Sequence, residues 1–227
     1  MSSWKPFDQS NPMLHRLAHH PEAEDFFNIV ASCKRYDLES IARLWISEGI
    51  PFAFRESAGV YEEMRYWLSC MLGVHTKDIT LHGSARIGFS MAPHKYGKSF
   101  GGGSDFDLSI VNGELFEKCS LELRSFKFEF DGGNIKTTPK NMKNWAGFCD
   151  RLEKLLSSGY INTFQAPPHE LLTPTVVKVR DTMWRAGQKL RVTQDVPQFT
   201  SMNARLYRSW DDLIDRVALN LSSLVSR

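Results

Sequence analysis

Apolar residues at helical spacing dominate the first 75 residues of the chain. One run is capped by Asp37, repeats its apolar side chains every three to four positions, and ends at Gly49 and Pro51. A second run covers residues 57–72 with the same spacing. Each run predicts an amphipathic helix. The aromatic and methionine side chains in these runs are explained by a core, without a cofactor.

The middle of the chain changes to patterns typical of strands. Residues 78–82 (DITLH) and 106–111 (FDLSIV) are short apolar runs, and the second follows three glycines. Residues 126–130 (FKFEF) alternate with a period of two, and residues 160–165 (YINTFQ) lead into two prolines. We predict a strand at each of these four places.

Helical spacing returns between and after the predicted strands. We expect helices over residues 114–123 and 139–157, then over 170–190 with an interruption near Gly187, and a last helix capped by Ser209. A small mixed sheet flanked by helices at both ends is an α+β architecture.

The order of predicted elements divides the chain into three parts. Residues 1–75 form an N-terminal helical element, 76–168 the core with the sheet, and 169–227 a C-terminal helical element. No linker-like composition separates them, so we expect one compact unit.

Composition agrees with a globular protein. Of 227 residues, 42% are hydrophobic and 24% charged, and the net charge is +2. The start of the chain lacks the layout of a secretory signal, and no apolar run is long enough to span a membrane, which predicts a cytoplasmic protein without a membrane partner. The cysteines form no CxxC pair, and we interpret them as small buried side chains on helices: Cys33, Cys70, Cys119 and Cys149.

A local excess of positive charge lies near the C-terminus. Residues 178–191 contain five basic side chains, with Asp181 as the acidic one. A solvated helix face and a surface that contacts phosphates both explain this run.

The chemically informative stretch covers residues 81–111 (LHGSARIGFSMAPHKYGKSFGGGSDFDLSIV). A predicted strand ends in Gly83-Ser84, where backbone amides can approach phosphate oxygens closely. The next strand begins at Asp105-Phe-Asp107, and residues two apart in a strand point to the same side. Two adjacent carboxylates repel each other unless a cation lies between them, and Mg²⁺ prefers oxygen ligands of this kind. The pattern favours phosphoryl or nucleotidyl transfer.

These residues resemble the signature of the nucleotidyltransferase superfamily, which includes polymerase-beta-like enzymes, aminoglycoside nucleotidyltransferases and synthases of oligonucleotide second messengers. The longer run GSARIGFS to SDFDLSIV, with LYRSWDDL near the C-terminus, is similar to uncharacterised bacterial proteins with this domain. The resemblance implies a polymerase-beta-like core with flanking helices. The specific motif covers about 30 residues of the chain.

The resemblance also implies a set of site residues. Asp105 and Asp107 would bind two Mg²⁺ ions, with Mn²⁺ as a substitute, and act in catalysis together with Glu129. Gly83 and Ser84 would hold the triphosphate. We also predict that neighbouring side chains bind the nucleotide: Arg86, Lys95 and Ser104.

The sequence departs from the minimal family pattern by a long segment between the two motifs. Residues 91–100 (MAPHKYGKSF) form an insertion beside the site. Its His94, Lys95, Tyr96 and Lys98 suit contacts to phosphates or stacking on a base, and a solvated loop explains them equally well.

The family's third carboxylate has two candidate positions here. Glu129 has the required side chain, within FKFEF. Asn162 lies in a predicted strand whose place in the topology suits the role better, but an amide carries no charge and cannot act as a general base. We favour Glu129 slightly.

The resemblance leads to two functional expectations. The first is a Mg²⁺-dependent enzyme that moves a nucleoside monophosphate from an NTP to a hydroxyl, with nucleic acid or a nucleotide favoured as acceptor, in a bacterial toxin–antitoxin or anti-phage setting. The alternative is a catalytically impaired protein of the same fold that binds nucleotide or nucleic acid or regulates a partner. A partner protein or a homo-oligomer is compatible with either.

Overall fold

The computed structural model describes residues 11–225. Nine α-helices and four strands are described, joined by short 3-10 turns and by one π-helical turn, Arg43–Ser47. The helices are α1 Ala23–Ala31, α2 Arg35–Ala42, α3 Ala58–Leu72, α4 Ser84–Ile87, α5 Gly113–Asp131, α6 Pro139–Cys149, α7 Leu152–Ser157, α8 Pro174–Arg191 and α9 Trp210–Val225. The strands are β1 Ile79–His82, β2 Phe106–Val111, β3 Tyr160–Asn162 and β4 Met202–Tyr207.

The four strands form one mixed sheet in the order β1-β2-β4-β3. Strand β2 pairs antiparallel with β1 and parallel with β4, and β3 pairs antiparallel with β4. The architecture is therefore α+β, as the sequence predicts.

The two faces of the sheet are used differently. Phe106, Leu108 and Ile110 of β2 lie in the main core, to which α3, α5 and α8 contribute side chains. On the opposite face, Val111 and Tyr207 pack in a smaller cluster with Leu213 of α9. Because successive side chains of a strand alternate in direction, the remaining outward positions of β2 and β4 point to the same side as this small cluster.

Several predicted elements are confirmed. Strand β2 has the predicted limits, and β1 begins one residue later than predicted. Helix α3 matches the second helical run, and α9 begins after Ser209, whose hydroxyl accepts a hydrogen bond from the Asp212 amide at 3.2 Å. The first helical run begins earlier than expected. Its N-cap is Lys34, and Asp37 at the third helical position accepts a hydrogen bond from the Lys34 amide at 3.0 Å.

The strand predicted over residues 126–130 is wrong, because these residues belong to the long helix α5. Phe126 and Phe130 are one helical turn apart and their rings stack, with Trp145 of α6 against both. Phe128 points to solvent with 76% of its surface exposed. Three phenylalanines at alternate positions fit a strand, but two of them also fit one side of a helix.

The C-terminal third differs from the prediction by containing a strand. Strand β4 lies in a region expected to be wholly helical, so the sheet extends past the expected core boundary at residue 168. Helix α8 runs without interruption through Gly187. The helix predicted over residues 139–157 is divided into α6 and α7.

Two smaller points concern the cysteines and membranes. Cys119 and Cys149 are buried on helices as predicted, whereas Cys70 is exposed and Cys33 lies half-buried in the turn after α1. All four thiols are free. Within residues 11–225, no helix has the length and apolar character needed to cross a membrane.

Candidate functional site

Asp105 and Asp107 lie at the beginning of β2, on the side of the sheet away from the main core. Asp105 directly precedes the strand, and Asp107 is its second residue. The antiparallel register places His82 of β1 opposite Asp107, so the Gly83-Ser84 turn follows at the same edge of the sheet. The structure therefore brings the two motifs of the sequence together.

Gly83 makes the close approach between the two motifs possible. Its backbone adopts φ 68° and ψ −151°, a conformation open to glycine and strained for other residues. A side chain at this position would have its first carbon 3.8 Å from Asp107 Oδ2. A phosphate bound by the backbone of this turn would lie beside the Asp107 carboxylate.

Asp107 takes part in a chain of polar contacts with β1 and β4. Arg205 of β4 forms an ion pair with it, with Nη2 3.5 Å from Asp107 Oδ2. The other terminal nitrogen of Arg205 hydrogen-bonds Nε2 of His82. The second ring nitrogen of His82 lies 3.0 Å from the hydroxyl of Ser109.

These contacts determine the protonation of His82. An arginine side chain is a donor only, so Nε2 of His82 accepts and Nδ1 carries the proton, which it donates to Ser109. Burial, reinforced by the nearby charge of Arg205, lowers the pKa of His82 well below its usual value. His82 is thus a neutral positioning group between Arg205 and Ser109, with neither nitrogen available as a base.

The carboxyl group of Asp107 has a raised pKa. Burial is the main cause, Arg205 acts in the opposite direction, and the negative charge of Asp105 raises the pKa further. The two aspartates are therefore close enough to repel each other. A divalent cation between them would remove this repulsion.

Asp105 is held by residues that precede and begin β4. The Ser201 hydroxyl donates to Asp105 Oδ1 at 2.7 Å, and the Asn203 amide donates to the Ser201 hydroxyl at 3.0 Å. In the parallel register Asn203 lies opposite Asp107. Directly opposed residues share a face of the sheet, so Asn203 points to the same side as the two carboxylates.

Asn203 is the residue of β4 that lies opposite Asp107, and its side chain is an uncharged amide. The structure does not support either position considered from the sequence for the third carboxylate. Glu129 lies on helix α5, where it accepts a hydrogen bond from Asn134 at 2.7 Å. Asn162 lies on β3, which is separated from β2 by β4.

Arg86, which is predicted to bind the nucleotide, is buried and bonded to the backbone. It is 4% exposed and donates to the carbonyl oxygens of Trp45 and Gly49, the latter at 3.0 Å. Because Trp45 belongs to the π-helical turn, the first of these bonds satisfies a carbonyl at the end of a helix. Burial lowers the pKa of the Arg86 guanidinium, which still remains charged.

The other predicted nucleotide-binding side chains differ in placement. Ser104 directly precedes Asp105, and its hydroxyl accepts a hydrogen bond from the Gly101 amide at 3.2 Å, which shapes the turn before β2. Lys95 is exposed, at the end of a 3-10 turn in the inserted segment.

The inserted segment is anchored to the N-terminal helices. The Tyr96 hydroxyl donates to the Ala23 carbonyl at 2.7 Å. The Tyr96 ring contacts the rings of Phe27 and Phe89, with ring centroids 5.7 and 5.9 Å apart. Tyr96 is therefore used in packing the inserted segment onto the N-terminal helices. Lys95 and His94 remain exposed on the same segment.

The oxygen donors of the site fit one Mg²⁺ ion shared with a phosphate. Mg²⁺ is commonly held by one or two protein carboxylates together with substrate phosphates and water, and Asp105 and Asp107 supply that number. Asn203 adds an uncharged amide oxygen. Residues 11–225 contain no group of three or more His, Cys, Asp or Glu placed to hold a metal ion.

Three residues of the site were missed from the sequence: Ser201, Asn203 and Arg205. The signal that could have found them is the alternation in MNARLY, where Met202, Ala204 and Leu206 are buried in the main core.

No family model, curated protein or solved structure matches this chain.

Proposed function

We propose that this protein is a Mg²⁺-dependent nucleotidyltransferase with a polymerase-beta-like core, which transfers a nucleoside monophosphate from an NTP to a hydroxyl group. One observation carries the proposal. The antiparallel pair β1–β2 places the Gly83 turn directly beside Asp107, with Asp105 two residues earlier. A phosphate-binding turn next to two convergent carboxylates suits the binding of a triphosphate and its metal.

Each residue of the site has a distinct part in this reaction. The Gly83-Ser84 turn would orient the triphosphate, and Asp105 and Asp107 would hold the divalent ion. Mg²⁺, when bound, neutralises phosphate charge and polarises the oxygens of the reacting group. The acceptor oxygen forms a bond to the α-phosphorus, the bond between the α- and β-phosphates breaks, and pyrophosphate leaves.

The residue of β4 opposite Asp107 is not a carboxylate, so it cannot take the proton of the attacking hydroxyl. Asn203 can accept a hydrogen bond through its carbonyl oxygen and so orient the hydroxyl, but it cannot take the proton. His82 is neutral, with both ring nitrogens engaged. The proton therefore passes to water, and we expect slow transfer that depends on positioning and charge neutralisation.

A second function is favoured by the same amide. With Asn203 at the third position and Arg205 paired to Asp107, the site is well suited to bind an NTP with Mg²⁺ without turning it over. In that case the protein would act as a nucleotide-responsive binding or regulatory subunit.

Pyrophosphate release separates the two functions. The wild-type protein is incubated with each of the four NTPs, Mg²⁺ or Mn²⁺, and candidate acceptors, and release is compared with that of the double variant Asp105→Asn/Asp107→Asn. We expect release by the wild type and a loss of at least about 100-fold in the variant, since the loss of one electrostatic stabiliser alone commonly costs this much. NTP binding is measured in parallel by calorimetry.

Asp150→Asn is the matched control, because Asp150 is an exposed acid at the end of α6, outside the site. It should leave release unchanged. NTP binding without release, in the presence of every acceptor, would favour the binding function. A protein that neither binds NTP nor releases pyrophosphate would refute both.

A further inference from the structure

A continuous groove runs from the candidate site along the surface of α8. Its first part has a volume of about 580 Å³ and lies between α8 and the beginning of β4. A second part of about 440 Å³ continues toward α6. Phe164 and Arg180 line both parts, so the two parts adjoin, and we call them together the α8 groove.

Two large aromatic side chains line the α8 groove without being buried. Phe164 is 63% exposed and Trp184 is 65% exposed. The Arg180 guanidinium lies over the Phe164 ring, 5.5 Å from its centroid. Exposed aromatic rings beside an arginine are the groups on which unpaired nucleic-acid bases stack.

The charge of the groove complements a phosphate backbone. Arg151, Arg180 and Arg191 line it, and within the described chain Asp181 is the acidic residue among its lining. Each arginine donates to a backbone carbonyl: Arg151 to Gly147 at 2.8 Å, Arg180 to Phe164 at 3.5 Å and Arg191 to Thr200 at 2.7 Å. A carbonyl fixes the position of a guanidinium but does not neutralise its charge, so these arginines keep a net positive field along the groove.

The groove reaches the residues that hold Asp105. Ser201 and Asn203 belong to its lining, and Ser201 also donates to Asp105. A strand lying in the groove would therefore have its end beside Ser201, next to Asp105.

We infer that the α8 groove binds single-stranded nucleic acid and that this strand is the acceptor of nucleotidyl transfer. The role of the strand as acceptor rests on the proposed function, whereas the binding of the strand does not depend on catalysis. Stacking on Phe164 and Trp184 requires bases that are not paired, which disfavours a duplex. The groove recognises a backbone and base faces, features that RNA and DNA share.

Binding is tested with fluorescently labelled 12-nucleotide oligo-U and oligo-dT, and with a duplex of the same length, by fluorescence anisotropy in EDTA at low salt. EDTA removes the contribution of the metal site. We expect single strands to bind at least about 10-fold more tightly than the duplex, and binding to weaken with added salt. The RNA and DNA arms show which sugar the groove prefers.

Substitutions inside and outside the groove locate the binding. Phe164→Ala/Trp184→Ala should weaken single-strand binding by about 5- to 150-fold for each ring, since stacking of one base is worth roughly 1–3 kcal/mol and 1.4 kcal/mol corresponds to tenfold. Phe128→Ala is the control for the rings, because Phe128 is 76% exposed on α5, outside the groove. Arg180→Ala should weaken binding more than Arg185→Ala, an exposed arginine of α8 that does not line the groove.

The outcomes distinguish this inference from the proposed function. The variant Asp105→Asn/Asp107→Asn should bind oligonucleotides in EDTA at least as tightly as the wild type, because two negative charges near the groove are removed, while losing pyrophosphate release. Failure of the wild type to bind either single strand, or equal competition by a poly-glutamate peptide, would overturn the inference about the groove and leave transfer to a small acceptor open. Thermal unfolding of every variant verifies that it is folded.

Discussion

The two neighbours of β2 contribute to the site in different ways. On the β1 side, the antiparallel pair places the Gly83 turn beside Asp107, and the sequence motif predicts this arrangement. On the β4 side, the parallel pair brings Asn203 opposite Asp107 and Arg205 into an ion pair with it. One neighbour therefore supplies groups that suit phosphate and metal, whereas the other supplies an amide and a cation.

This difference separates binding from turnover. In the proposed reaction, the groups that would hold the triphosphate are contributed by β1 and β2, whereas the residue of β4 opposite Asp107 is the uncharged Asn203. A site can keep the first set while the second changes.

Replacing Asn203 by aspartate should have the largest effect. Asn203→Asp would add a carboxylate opposite Asp107, and a positioned general base contributes about 100-fold or more to the rate. We expect the rate of pyrophosphate release to rise by about 100-fold. Without Mg²⁺ the added charge should lower the melting temperature, and Mg²⁺ should restore it, because three carboxylates repel one another without a cation.

Asn162→Asp is the control for this gain. It introduces the same charge on β3, one strand farther from β2, opposite Arg205. An equal increase in rate for both variants would show that net charge matters and that the register opposite Asp107 does not.

Arg205→Met should change the Mg²⁺ affinity, by a smaller factor than Asn203→Asp changes the rate. Loss of the ion pair frees the Asp107 carboxylate from a competing cation, so we expect Mg²⁺ affinity at neutral pH to rise by about 3- to 10-fold. Because Arg205 lowers the pKa of Asp107, its removal should also move the loss of Mg²⁺ binding on acidification to a higher pH. Calorimetric titrations with Mg²⁺ across a pH series measure both effects.

The same variant should be less stable, by about 1–3 kcal/mol in urea unfolding, because the hydrogen bond to His82 and the ion pair with Asp107 are lost. Arg208→Met is the matched control, since Arg208 pairs with Asp212 at 3.0 Å on α9. Weaker Mg²⁺ binding by Arg205→Met would contradict the view that Arg205 competes with the metal.

Glu129→Gln should have almost no effect on the site. Glutamine can still accept the hydrogen bond from Asn134, and Glu129 lies on α5 instead of on a strand beside β2. We expect the rate of pyrophosphate release and the Mg²⁺ affinity to stay within about twofold of the wild type, and stability to change by less than about 0.5 kcal/mol. A tenfold loss of rate in Glu129→Gln would show that Glu129 takes part in catalysis.

The sequence predicts the β1–β2 half of the sheet well because its signals are local. Strand β2 is an apolar run bounded by three glycines and by Asn112, whose side chain accepts a hydrogen bond from the Leu115 amide at 2.9 Å to begin α5. The motif residues themselves adjoin these boundaries. Local signals were sufficient here to place Gly83, Asp105 and Asp107 together.

The β4 half could not be predicted in the same way, because its parallel pairing with β2 joins distant parts of the chain. Buried apolar residues alternate with polar ones along Met202–Tyr207. Asn203 and Arg205 reduce the apolar character of this segment, and both belong to the site. Similarly, the alternating phenylalanines of α5 become helical because Phe126 and Phe130 pack on Trp145. Packing partners that lie far away in the sequence decide both cases.

The register of Asn203 with Asp107 also has a genetic consequence. Either asparagine codon becomes an aspartate codon by one base change, and the two side chains differ by a single amide nitrogen in place of oxygen. Because the strand pairing already directs position 203 toward the carboxylates, one point mutation adds a third carboxylate beside Asp105 and Asp107, and the reverse mutation removes it.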